Sequence, residues 1–146
     1  MDPALIDLEI IRLSKNGAWL SGGEEITHGE TIKAFTRCLK QEADGYWISI
    51  GWNRKKIEIE DTARFVTRID RRSDGESETI DITLGDETKE KLNFRSLKFS
   101  PDRLTCLLKS GEEAKFLSPA YFDLLKELEQ DERGYFLRLG SEAIYL

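Results

Sequence analysis

The chain has little of what most active sites are assembled from. It carries one histidine and two cysteines among 146 residues. A lone histidine makes no metal cluster, and without a Cys or Ser partner in a recognisable setting it makes no triad. Phosphate-loop, dinucleotide-fingerprint, zinc-spacing and nucleophile-elbow patterns are all missing. Glu60 and Asp61 are adjacent carboxylates, but neighbours on a strand point to opposite faces and do not form an acid/base pair on one substrate. No apolar run approaches the roughly 18–20 residues of a membrane span. Met1-Asp2-Pro3 is acidic and gives no sign of a secretory leader. Cys38 and Cys106 lie far apart in apolar settings. A disulfide would join them in an oxidising compartment, whereas two reduced core thiols suit a cytosolic protein better. The net charge of −6 argues against phosphate neutralisation, so neither nucleic acid nor an anionic bilayer is an expected partner. The expectation is a cytoplasmic, non-catalytic chain with no cofactor and no metal.

What is present is a repeat. A constant offset of 89 aligns Leu39 with Leu128, Gln41 with Gln130, Gly45 with Gly134, Tyr46 with Tyr135 and Gly51 with Gly140. Upstream, Gly23-Glu24-Glu25 answers Gly111-Glu112-Glu113 with one residue of slip. Duplicated units create a seam, and seams are common ligand sites.

Each copy reads as hairpin, helix, hairpin. Ile6, Leu8 and Ile10 alternate, and Asn16-Gly17 signals a type I′ turn before Ala18-Trp19-Leu20. Thr27 with Glu30 forms a capping-box pattern for a helix that buries Ile32, Phe35, Cys38 and Leu39 and runs to about Gln41. Strands follow at 46–50 and 56–60. Strands 65–69 and 79–84 pair across Ser73-Asp74-Gly75. Residues 85–91 read as a charged loop and 92–99 as a short strand. The second copy opens at Leu104–Leu108, caps its helix with Ser118-Pro119 and closes on strands 135–139 and 142–146. The fold class is therefore α+β, with duplicated hairpin-helix-hairpin units and antiparallel sheets. The domains are an N-terminal repeat unit, 1–62, and a C-terminal unit, 63–146, made of middle strands 63–100 and the second repeat 101–146.

Candidate binding residues cluster at Trp52-Asn53-Arg54-Lys55-Lys56. An exposed tryptophan beside guanidinium and ammonium groups can stack a base and hold a phosphate; the competing reading is a hairpin tip whose Trp folds back. His28 lies near a helix start, where backbone N–H groups attract anions, or is simply a surface residue. Ser118 holds the matching place in the second copy. Three functions remain open: a sensing domain for a small anionic, nucleotide-like ligand; a protein-interaction module using edge strands at 142–146 or 77–84, a homodimer included; and an unrecognised hydrolase, which would need a polar cluster assembled from distant residues.

The run from Ile10 to Val66 resembles the bacterial DUF1285 family. The stretches that carry the resemblance are Gly17-Ala18-Trp19, Gly23-Glu24-Glu25-Ile26, Phe35 with Leu39, Gly45-Tyr46, Ile57-Glu58-Ile59-Glu60-Asp61 and Phe65-Val66. Glu113-Ala114-Lys115 and Tyr121-Phe122-Asp123-Leu124 extend it into the second copy. The chain departs from the family pattern at Gly51-Trp52-Asn53-Arg54 and at Ala63-Arg64, and the basic positions that open the family's helices fall on His28 and Ser118. The resemblance implies a duplicated-domain fold with a pleckstrin-homology-like C-terminal half. It also implies a nucleotide-like ligand between the halves and a role in signal transduction, and brings no catalytic activity.

Overall fold

The structure, a computed structural model, describes residues 10–75 and 77–146. The alternation at Ile6 and Leu8 and the acidic start lie outside the described residues. The chain divides into two compact units, Met1–Ala63 and Arg64–Leu146. Among the described residues no helix is long and apolar enough to cross a membrane.

The first unit contains β1 (Ile11–Leu13), β2 (Trp19–Ser21), β3 (Glu24–Glu25), α1 (Gly29–Cys38), β4 (Leu39–Glu42), β5 (Gly45–Ile50) and β6 (Asn53–Ile59). They form one six-stranded sheet in the order β3-β2-β1-β6-β5-β4. All neighbours are antiparallel except β1 and β6, which run parallel with Arg12 opposite Glu58. That parallel join is possible because α1 lies in the long connection between them. The helix is short for its pattern. It ends at Cys38, and residues 39–42, expected as its last turn, are strand.

Three local expectations change. The β1–β2 loop spans Ser14 to Ala18 rather than a two-residue I′ turn: Gly17 sits at φ +83°, but Asn16 is not left-handed. The cap of α1 is His28, not Thr27; its Nδ1 accepts from the Thr31 N–H at 3.3 Å. Asn53 and Arg54 belong to β6, so the hairpin tip is only Gly51-Trp52. The core is Ile11, Leu13, Trp19, Phe35, Leu39, Ile48 and Ile57, all buried. Phe35 and Trp19 meet edge to face at 5.4 Å between centroids, and the Trp19 indole donates to Thr36.

The second unit contains β7 (Arg64–Asp74), β8 (Ser77–Leu84), β9 (Lys89–Lys91), a 3₁₀ turn (Phe94–Ser96), β10 (Lys98–Ser100), β11 (Arg103–Leu107), β12 (Glu113–Phe116), α2 (Ser118–Glu127), β13 (Leu128–Asp131), β14 (Gly134–Leu139) and β15 (Glu142–Tyr145). One sheet runs β10-β11-β12-β7-β8-β9, with β12 parallel to β7; the other is the meander β13-β14-β15. The charged stretch 85–91 is not all loop, since Lys89–Lys91 pairs with β8. β8 is thus flanked on both sides and is no sheet edge. Val66, Ile82, Leu104, Ala114, Leu124 and Leu137 centre the core. Arg71 ties its parts together: the guanidinium pairs with Glu78 and Glu127 and donates to the Arg138 carbonyl.

The duplication holds residue by residue. An offset of 89 carries α1 onto α2, β4 onto β13, and β5 onto β14 with identical bounds. It also carries the pairing register: Leu39↔Ile48 becomes Leu128↔Leu137, and Ile50↔Asn53 becomes Leu139↔Glu142. Gly45 and Gly134 open equivalent strands at φ +131° and +119°, a region that L side chains rarely enter.

Phe35→Ala should lower stability by about 3–5 kcal/mol through transfer and cavity terms together, measured by urea unfolding; a loss below about 1 kcal/mol would refute the packing described. The cysteines are both free, Cys106 buried and Cys38 half-buried. Burial, then the charges of Glu90 and Glu113, pushes the Cys106 thiol up to about 12. Because the thiolate is the nucleophile, iodoacetamide at pH 8 should label Cys38 in the native protein and spare Cys106 until denaturant is added. Equal labelling of both in the native state would contradict this.

Candidate functional site

The solvent-facing side of the β4-β5-β6 meander is built by strand alternation. On β5, Ile48 enters the core, so Trp47 and Ser49 face out; on β6, Ile57 enters, so Arg54, Lys56 and Glu58 face out. The register sets Trp47 opposite Lys40 on one side and Lys56 on the other. The half-buried Trp47 ring is the centre of this surface. The Arg54 guanidinium lies over it at 3.9 Å from the ring centroid and is tethered by an ion pair to Glu42. A cation placed over an indole face is attracted by the ring quadrupole. The Trp47 indole donates to Asp44 at 2.9 Å. That hydrogen bond holds the Asp44 carboxyl below its usual range, with the charges of Lys56 and Arg54 adding to it. Lys56 stands 4.0 Å from the same carboxylate. Beside these groups runs an open groove of about 620 Å³ lined by Ile10, Trp47, Arg54, Lys55, Lys56 and Glu58. Small-molecule sites commonly occupy ~300–1,000 Å³.

The second copy has the same scaffold and a different surface. Phe136 stands in for Trp47 and Tyr145 for Lys56, with ring centroids 5.1 Å apart. The Tyr145 hydroxyl donates to Asp131 at 2.6 Å. This bond lowers the Asp131 pKa and raises that of Tyr145. Phe136 is buried, with Arg138 at 5.4 Å from its ring. Here the outer face is closed by an aromatic pair; in the first copy, cations replace the second ring.

The expected site residues are only partly gathered. Trp52 is 95% exposed at the hairpin tip and does not fold back. Asn53 and Arg54 follow it on β6, and of these Arg54 reaches the groove. His28 is engaged locally with Thr31 as a helix cap. Ser118 belongs to the second unit and is not a cap: the N-cap is Leu117, which makes no side-chain cap bond, and Pro119 sits in the first turn. The residue matching His28 at the offset of 89 is therefore Leu117. The sequence reading missed Trp47, although counting outward-facing positions across the two strands would have placed it beside Arg54 and Lys56.

No family model and no curated protein matches the chain. Two solved structures share its fold. A DUF1285 family protein from Silicibacter pomeroyi DSS-3 superposes with a TM-score of 0.71 at 16% identity, covering 99% of this chain and 87% of that one. A second DUF1285 family protein, from Shewanella baltica OS155, gives 0.62 at 16% identity, covering 84% and 95%. The resemblance read from short motifs is thus matched by the architecture, and at this identity the likeness is one of fold.

His28→Ala should cost about 1 kcal/mol, the usual worth of a helix cap, while His28→Asn should restore most of it. Thermal denaturation of the pair checks this, and two variants of equal stability would remove the capping role. Trp52→Ser places at the tip the residue found at the matching Ser141, and should change stability by less than about 0.5 kcal/mol.

Proposed function

We propose that the protein is a non-catalytic, cytoplasmic sensing domain that binds a small anionic, nucleotide-like ligand, with the first unit's meander face as the binding surface. The observation that carries this reading is the stacked Trp47–Arg54 pair beside Lys56 in an open groove. A planar base can stack on the guanidinium or take its place on the indole, since both present flat faces. Phosphate oxygens then find the Lys56 ammonium in the same groove, and Arg54 can offer paired N–H donors to a phosphate. Glu42 restrains Arg54 and would exchange that partner for the incoming anion. The contrast between copies favours the same reading. Equal scaffolds would need no difference at this face, yet one copy shuts it with Tyr145 and Asp131 while the other leaves it basic. A part in signal transduction belongs to this proposal as the use to which a ligand-dependent domain is put.

A thermal-shift panel of nucleoside mono-, di- and triphosphates tests it. A true ligand at 100 times its dissociation constant should add ~2.7 kcal/mol of stability. Trp47→Ala and Lys56→Glu should each weaken binding at least tenfold, whereas Trp52→Ser should not. No shift with any nucleotide, or full affinity in Trp47→Ala, would overturn the assignment.

A further inference from the structure

Among the described residues, the three-stranded sheet of the second unit has an edge at β15 that no further strand covers. In the first unit β6 is longer than its counterpart β15, and β1 joins it in parallel at Glu58 and Ile59, beyond the stretch that matches β15. The same join brings the Glu60 N–H to the Leu13 carbonyl at 3.0 Å. In the second unit β15 pairs with β14 alone among the described residues. Its alternation is fixed by the two-residue turn at Gly140-Ser141. Leu139↔Glu142 and Leu137↔Ile144 are hydrogen-bonded pairs, continued by the Leu146 N–H to the Tyr135 carbonyl at 3.1 Å. The N–H and C=O groups of Ala143 and Tyr145 therefore point away from β14, toward the open edge.

That edge adjoins a groove of about 410 Å³. Its apolar lining comes from Leu92, Phe94, Leu139 and Ile144, and its basic side from Lys91, Arg95 and Lys109. None of these three cationic side chains has a carboxylate partner among the described residues. Glu78, which also lines the groove, is already engaged by Arg71 at 2.6 Å, and the Glu90 carboxylate accepts from the Lys109 backbone N–H at 2.9 Å. Glu142 is the remaining acid on the rim. Three unneutralised cations beside buried Leu92 and Phe94 favour an occupant that is apolar on one side and acidic on the other.

We propose that β15 is a docking edge for an extended acidic–apolar peptide segment of another protein, added as a further strand beside Ala143 and Tyr145. Main-chain bonds to Ala143 and Tyr145 would supply sequence-independent affinity, and alternate side chains would supply the choice of partner. Apolar residues of one parity would lie on Leu139 and Ile144, and carboxylates would meet Lys91, Arg95 and Lys109. The site is separate from the Trp47 groove, so the two assignments stand or fall independently.

The test is selection of a phage-displayed random octapeptide library on the full chain, followed by fluorescence anisotropy of the enriched peptides against two variants. Ala143→Pro removes an outward N–H that β14 does not use, a position where an edge strand tolerates proline. The second variant combines Lys91→Glu, Arg95→Glu and Lys109→Glu and leaves the backbone ladder intact. The expected result is enrichment of peptides alternating acidic with apolar residues, at least tenfold weaker binding to each variant, and binding that weakens as salt rises. Absence of a consensus, or peptides that bind both variants as well as the native chain, would overturn the proposal. Loss in the charge variant alone, or displacement by dodecanoate, would assign the groove to a small amphiphilic anion instead. A dimer in light scattering that Ala143→Pro dissolves would assign the edge to a second copy of the chain.

Discussion

A ten-residue helix does not hold its shape alone in water, where isolated helices shorter than ~12–15 residues are marginal. A short three-stranded meander likewise needs a cover for its apolar face. The repeat in this protein is the mutual solution of these two constraints. The helix runs straight into the first strand, at Cys38–Leu39 and again at Glu127–Leu128. That junction fixes which face of the helix looks at the sheet and places Phe35 or Leu124 in the core. A glycine at positive φ then opens the middle strand, and a second glycine at φ near +60° closes the next turn. With both ends set, register follows, and a one-residue slip would turn every apolar side chain outward.

Because the inward face is so constrained, the outward face is where the copies are free to differ. In the first, an arginine lies on a tryptophan and lysines line a groove. In the second, a tyrosine covers a phenylalanine and bonds an aspartate. The copies also join their surroundings differently. β6 runs on past the stretch matching β15 and accepts β1 there, while among the described residues β15 has only β14 beside it and lies next to three cations. One scaffold thus carries two distinct surfaces, which is the physical content of the proposals made for each.

The repeat was legible in the sequence because its markers are backbone requirements: Gly45 and Gly134 stand where φ is positive, and few other residues serve there. The α+β class followed from the same alternation. Helix ends were harder to read, since Leu39-Lys40-Gln41-Glu42 has ordinary helix formers and becomes strand only through pairing with β5. The cap was missed because Thr27 and Glu30 make a good local pattern, while His28 serves through an imidazole nitrogen that no capping rule singles out. Lys89–Lys91 looked like loop because its residues are charged, yet it pairs with β8, and an edge strand exposed to water can be charged. At the candidate site, Arg54, singled out from the sequence, lines the groove, but the neighbouring Trp52 drew attention from Trp47. Sequence adjacency favoured the first; cross-strand register, a nonlocal fact, selects the second.

The most direct measurement is a two-dimensional amide and indole NMR spectrum titrated with the nucleotide that gives the largest thermal shift. The three indole N–H signals report three different situations: Trp19 bonded to Thr36 in the core, Trp47 bonded to Asp44 on the basic face, and Trp52 in open solvent. The account predicts that the Trp47 signal moves with saturation, together with the amides of Arg54, Lys55 and Lys56, while Trp19 stays fixed. A titration that moves Trp52 alone, or spreads its changes over the second unit and leaves Trp47 in place, would contradict it.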